Sequence, residues 1–224
     1  MNFPQYPDLK GTIFIVTYGR SGSTLLQSLL QSIPRTHIVG ENYNVVQSLF
    51  QGASRARRTK RTWGKKAHPE HHPWYGAHEI APNRFEKALV RVFVEEIIRP
   101  PKDVRWFGFK EIRYPAFGDS LPDVLAFYRR NFPNAQIVFN SRDAQEVAKS
   151  KWWAKGPAEE VHKMVAQMDQ RFADYAAANP DHAHHAFHAK TAADPAALEP
   201  LFVKLGEQLD QETVRATLNR KLEH

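Results

Sequence analysis

The stretch that most constrains this chain is Thr12 to Ser32, TIFIVTYGRSGSTLLQSLLQS. Ile13, Phe14, Ile15 and Val16 form a short apolar run rich in β-branched residues, the pattern of a strand buried on both faces. The run breaks into Tyr18-Gly19-Arg20-Ser21-Gly22-Ser23-Thr24, then resumes with Leu25, Leu26, Leu29 and Leu30 at helical spacing. Strand, glycine-bearing loop and helix in that order aim unpaired backbone N–H groups and a helix N-terminus at an anion. Gly19 and Gly22 let the loop close around such a group. Ser21, Ser23 and Thr24 add hydroxyl donors, and Arg20 adds a fixed positive charge. The ligand implied is a phosphate ester. No lysine follows the second glycine, so the Walker pattern GxxxxGK is absent, which argues against an ATP or GTP hydrolase.

Downstream, the same alternation repeats. Strands are predicted at 36–39, 104–110, 135–140 and 183–189 from apolar runs bounded by turn residues. Between them, a helix is predicted over 44–50. A second starts at Asn83, with Glu86 completing a capping box and Phe85, Leu89, Val92, Phe93 and Ile97 facing inward. Others begin near Ser120, at Asp143 with Glu146 as its capping partner, and after Pro157, where Val161, Met164, Val165, Met168 and Phe172 share a face. Two more follow Asp194-Pro195 and cover 211–218. This predicts one domain spanning 1–224, an α/β/α sandwich around a central, mainly parallel sheet of about five strands. Residues 52–82 lack an apolar period and read as a long flexible loop.

The formal net charge of +7 is local. Seven basic residues and no acid lie between Arg55 and Lys66, and without them 24 basic residues face 24 acidic ones. That run reads as a solvated loop, or as an attractor for an anionic acceptor or nucleic acid. The chain has no cysteine, no apolar window long enough to span a bilayer and no signal-peptide pattern at its N-terminus, which leads to the expectation of a cytoplasmic protein. His182, His184, His185 and His188 come without a supporting acid pattern, so no metal is expected.

A second motif lies at Ser141 to Ser150, SRDAQEVAKS. A buried strand delivers Arg142 at its C-terminal end, and Ser150 follows eight residues later. A guanidinium fork and a hydroxyl at one strand–helix junction suit a phosphate monoester. Together the two motifs resemble those of the sulfotransferases that use 3′-phosphoadenosine 5′-phosphosulfate (PAPS). The first is similar to the family's 5′-phosphosulfate loop, usually written TYPRSGTT, with Gly19 at the proline position and Ser23 for a threonine. The second is similar to its 3′-phosphate motif, an arginine followed eight residues later by a serine.

The resemblance implies that Gly19, Arg20, Ser21, Gly22, Ser23, Thr24, Arg142 and Ser150 hold PAPS, and that a sulfuryl group passes to an acceptor hydroxyl or amine. GEN at 40–42 and FGFKE at 107–111 look like segments that border the acceptor site in the bacterial and Golgi-type branches. By that likeness Glu41 is the base and Lys110 neutralises the leaving oxygen, with Arg20 beside it. From their strand-end positions His37 and Glu111 stand as alternative bases. The RKGxxGDWK motif of the cytosolic hormone-type enzymes is missing, leaving Arg220 and Lys221 as candidates for its grip on the 3′-phosphate. Two other readings compete: a kinase-like phosphotransferase, opposed by the missing Walker lysine, and a nucleic-acid-binding protein using the basic run, opposed by the charge balance elsewhere. Nucleic acid is not the expected partner.

Overall fold

The computed structural model of the chain describes residues 1–150, 153 and 156–218. Five strands, β1 (Gly11–Val16), β2 (Thr36–Val39), β3 (Trp106–Glu111), β4 (Ala135–Ser141) and β5 (Ala183–Phe187), pair in parallel in the order β2-β3-β1-β4-β5. β1, the first strand made, therefore lies at the centre. Its side chains alternate between two cores. Phe14 and Val16 face one side with Phe107, Phe109, Ile137 and Phe139, while Ile13 and Ile15 face the other with Trp106 and Val138. Both faces of β1, β3 and β4 are dry, which is why these three strands read as largely apolar runs.

The second face is covered by α1 (Ser23–Leu30), α8 (Glu199–Leu205) and α9 (Gln211–Leu218), through Leu26, Leu29, Leu30, Leu201, Phe202 and Val214. The first is covered by α2 (Val45–Trp63), α3 (Pro82–Phe93), α4 (Leu121–Asn131), α5 (Ala144–Ala148) and α6 (Ala158–Ala178). Its centre is an aromatic cluster in which Phe14 stacks on Tyr128 at 4.6 Å and meets Phe109 and Phe132 edge-on. A short helix, α7 (His188–Ala193), follows β5 directly, so the strand stops at Phe187 rather than running to 189.

The loop expected over 52–82 is corrected over 52–63, where α2 continues thirteen residues beyond Phe50 and carries most of the basic run; from there to α3 the chain holds only a three-residue helical turn, Ala77–Glu79. Val46 and Ala53 anchor its inner face, but beyond Ala53 that face is polar. Arg57 pairs at 2.6 Å with Glu86, which also accepts hydrogen bonds from Arg130 (2.8 Å) and Asn131 (2.7 Å). Glu86 is buried, and burial alone would resist its ionisation. The bonds from Arg130, Asn131 and Arg57 prevail and hold its carboxyl below the usual glutamate range. An ion-pair cluster thus does what an apolar stripe does elsewhere.

The same cluster shifts the phase of α3. Glu86, Val90 and Phe93 point inward, whereas Phe85 and Val92, expected inside, are exposed. Asn83 does not cap this helix. The N-cap is Ala81, Pro82 starts the first turn, and the Asn83 side chain accepts from Arg57. Asp143 does cap α5, accepting from the N–H groups of Gln145 and Glu146, but that helix ends at Ala148, so Ser150 lies beyond it.

Candidate active site

Parallel register brings four chain segments to one edge of the sheet. Val16 pairs with Glu111 of β3 on one side and Phe139 of β4 on the other. Reading across the sheet, the C-terminal ends therefore present Glu41, Lys110, the 17–24 loop and Arg142 in that order. This is the edge at which open α/β sheets bind ligands.

The 17–24 loop and the Arg142 segment are fastened together. Tyr18 is fully buried, and its hydroxyl accepts from the Arg142 N–H at 3.0 Å and donates to Asp169 at 3.0 Å. Asn140 donates to the Ser21 carbonyl at 2.8 Å, and Arg142 donates to the Arg20 carbonyl at 3.3 Å. Trp153 donates to the Gly19 carbonyl at 3.2 Å. The loop turns through Arg20 at φ 68° and Gly22 at φ 80°. Gly22 is required twice over, because a Cβ there would stand 2.3 Å from the His188 ring as well as demand a left-handed backbone. Ser23 and Thr24 open α1, whose first turn carries no acidic side chain.

Two features of this half point to a ligand. Ser21 and Ser150, one from each motif, have buried hydroxyls with no hydrogen-bond partner among the described residues. Buried hydroxyls are normally satisfied, so an orphan in each of two joined motifs fits a bound anion with acceptor oxygens. Arg20 is exposed and has no ion pair among the described residues. The one acidic partner of Arg142 among the described residues is the half-exposed Glu146, at 3.8 Å. Arg220 and Lys221 lie outside the described residues.

Behind Arg142 lies a half-buried relay that the sequence does not announce. Ser141 donates to Asp169 at 2.5 Å and stands 2.7 Å from His185 Nε2. With the Ser141 proton committed to Asp169, the network assigns a proton to Nε2 of His185. Burial pushes His185 down to about 4 and Asp169 up from the ordinary range, the latter opposed by its bonds from Ser141 and Tyr18. His185 is therefore neutral at physiological pH, and the relay holds the end of β4 in place.

On the other half, Lys110 is buried and donates to Glu41 at 2.7 Å. Arg113, absent from the sequence expectations, donates to Glu41 at 3.2 Å and to Glu111 at 2.9 Å. The two alternative bases are held in different ways. His37 pairs with Phe107, three residues before Lys110, which puts it about 10 Å below the sheet edge. Its Nε2 bonds the Ile98 carbonyl at 2.8 Å. Glu111 is only 1% exposed, and its two oxygens accept the N–H groups of Asn42, Asn44, Ile112 and Arg113. Those bonds brace a turn in which Tyr43 and Asn44 both take left-handed backbones, at φ 55° and 60°. Tyr43 is pushed into solvent, 83% exposed, under the Arg113 guanidinium at 4.4 Å. Among the described residues no cluster of metal-ligating side chains occurs, and no helix is long and apolar enough to cross a membrane.

The model of the sulfotransferase family matches residues 12–202. Among solved structures, the sulfotransferase domain of the olefin synthase of Synechococcus PCC 7002 is similar over 94% of this chain and 78% of its own. Its TM-score is 0.55 at 17% identity. The sulfotransferase domain from the curacin biosynthetic pathway is similar over 92% of this chain and 77% of its own, with a TM-score of 0.57 at 17% identity. At these identities the likeness is one of fold. No curated protein matches in sequence.

Proposed function

Because the chain belongs to the sulfotransferase family, we propose that it transfers a sulfuryl group from PAPS to the hydroxyl, or amine, of an acceptor. The observation that carries the choice of donor is the pair of orphan hydroxyls, Ser21 and Ser150, on two loops tied together through Tyr18 and Arg142. A donor with two phosphate groups would satisfy both. The loop amides, Arg20, Ser21, Ser23 and Thr24 would hold its 5′ end, and Arg142 with Ser150 its 3′-phosphate. PAPS supplies an activated sulfuryl group whose S–O bond to phosphate breaks as the bond to the acceptor forms.

The rest falls to residues of this chain. Lys110 would offer its ammonium to the phosphate oxygen that leaves, and Glu41 would take the acceptor's proton. Their 2.7 Å contact sets the spacing, since a base and a cation so close can serve the two ends of one in-line transfer. Arg113 steadies Glu41 from the other side. Glu111 serves as a brace rather than a base, because all of its near partners are donors fixed in the backbone or on Arg113. The acceptor would enter past Tyr43, and the cytoplasm would be the compartment of this reaction.

A melting screen with 3′,5′-adenosine bisphosphate, AMP, ATP and short single-stranded DNA tests the donor. A ligand at a hundred times its Kd adds about 2.7 kcal/mol of stability. A shift with the bisphosphate that AMP fails to match is the expected outcome. A shift with ATP alone would favour a phosphotransferase, and one with DNA alone a nucleic-acid-binding protein.

A further inference from the structure

Residues 45–93, which comprise α2, α3 and their connection, hold ten Lys and Arg against three acids. That excess equals the charge of the whole chain, since the remaining residues carry 21 of each sign. The same segment bears five of the nine large apolar or aromatic side chains exposed among the described residues: Trp63, Trp74, Tyr75, Phe85 and Val92. Charge and exposed apolar surface are therefore concentrated together.

Their arrangement is ordered. α2 and α3 pack as an antiparallel pair, with Gly52 facing Phe85 and Leu89, Arg57 bonding Asn83, and Lys60 bonding the His78 carbonyl. A surface groove of about 440 Å³ opens between them, lined by Ala56, Ile80, Ala81, Phe85 and Ala88, with Arg84 at its rim. Ala56 and Trp63 are seven residues apart on α2, and Phe85 and Val92 seven apart on α3, so each pair extends this apolar line along its helix. Trp74 lengthens it by stacking on Trp63 at 5.1 Å. Beside the line on α3 stand Arg84, Lys87 and Arg91, which flank a second depression with Asn83 and Ala88.

We propose that this α2–α3 face is a docking surface for a bilayer rich in anionic lipid. Cations in a row would be met by acidic headgroups, while Phe85, Val92 and the tryptophans enter the headgroup–acyl boundary, the combination by which amphipathic surfaces seat on membranes. A second copy of the chain is a poor occupant, because two such faces would bring like charges together. A polyanion would satisfy the arginines and leave the apolar line in water. α2 springs from the turn that carries Glu41, so docking would hold the cleft near the headgroups.

Flotation of the full chain with phosphatidylcholine vesicles, with and without phosphatidylserine, tests this independently of any transfer reaction. Binding is expected only with phosphatidylserine, weakened by salt, with a blue shift of tryptophan emission. Arg84→Gln with Arg91→Gln should lower the partition coefficient roughly 20- to 30-fold, taking each cation as worth about fivefold. Phe85→Ser with Val92→Ser should also lower it, and the melting temperatures of both double variants verify that they fold. Three outcomes of the binding experiments would overturn the proposal. They are failure to float at low salt, binding that the Phe85/Val92 variant leaves unchanged, and tighter capture by single-stranded DNA or a sulfated polysaccharide than by vesicles. A dimer in light scattering that the Phe85/Val92 variant abolishes would assign the face to a second copy instead.

Discussion

On the acceptor side of the cleft every charge has a partner: Lys110 holds Glu41, and Arg113 holds both Glu41 and Glu111. On the donor side the polar groups are left over. Arg20 has no ion pair among the described residues, and Ser21 and Ser150 bury hydroxyls without a bond. The first half is neutral in itself and must exchange partners when it works. The second carries a standing deficit of acceptors, which a dianionic group would meet. A site built this way would bind donor first by simple complementarity and reorganise only the acceptor half, so substitutions in the two halves should separate binding from turnover.

The widest separation is expected from Glu41→Gln. Under the proposed mechanism it should lower kcat by roughly 10²–10⁴, the range for loss of a general base, and leave the affinity for 3′,5′-adenosine bisphosphate unchanged. Single-turnover transfer on donor-saturated protein measures it, with His37→Ala alongside. Full activity in the Glu41 variant and collapse in the His37 variant would move the proton transfer to β2. Arg142→Ala should do the reverse. Loss of a charged contact to phosphate is worth roughly 1.5–3 kcal/mol, so the bisphosphate Kd should rise about ten- to a hundredfold, with the acceptor KM little changed. Calorimetry showing equal affinity in a folded variant would remove Arg142 from the donor half.

Glu111→Gln probes whether the acceptor half is braced as its bonds indicate. One carboxylate accepting four backbone N–H groups cannot be replaced by an amide with a single acceptor oxygen. The expected loss is about 1–3 kcal/mol of stability, or roughly 2–4 °C in Tm for each kcal/mol. Turnover should fall with it, while bisphosphate affinity stays. An unchanged Tm would mean that the left-handed Tyr43-Asn44 turn holds itself.

How much of this was legible in the sequence differs by physical cause. β1, β3 and β4 were readable to within about two residues because both of their faces are buried, and β2, only partly buried, still matches its expected limits. Gly22 was readable because only glycine suits its φ and the His188 ring above it. α2 beyond Phe50 was not, since Arg57 and Lys60 are satisfied there by Glu86 and a carbonyl rather than by apolar packing. The phase of α3 was lost to the same buried ion pair: a search for apolar period takes Phe85 as inward and passes over Glu86. In the site, Glu41 and Lys110 were marked by their strand-end positions and family likeness. Arg113 and Asp169 were not, because each acts through partners on other elements, which spacing along the chain does not reveal.

The smallest effect tests the contrast most directly. Ser150→Ala removes a buried hydroxyl that has no partner among the described residues. Burying an unsatisfied hydroxyl is costly, so its removal should leave the melting temperature of the free protein unchanged or slightly higher. With donor bound, the same hydroxyl would meet a phosphate oxygen, and its loss should weaken bisphosphate binding by roughly 0.5–1.5 kcal/mol, about two- to tenfold. The two effects have opposite signs, which a merely structural serine would not produce. Thermal melts with and without saturating bisphosphate read both at once, and Ser21→Ala should behave alike from the other loop. A fall in stability without ligand would show that Ser150 belongs to the packing of the α5 terminus and would leave Arg142 to hold the phosphate alone.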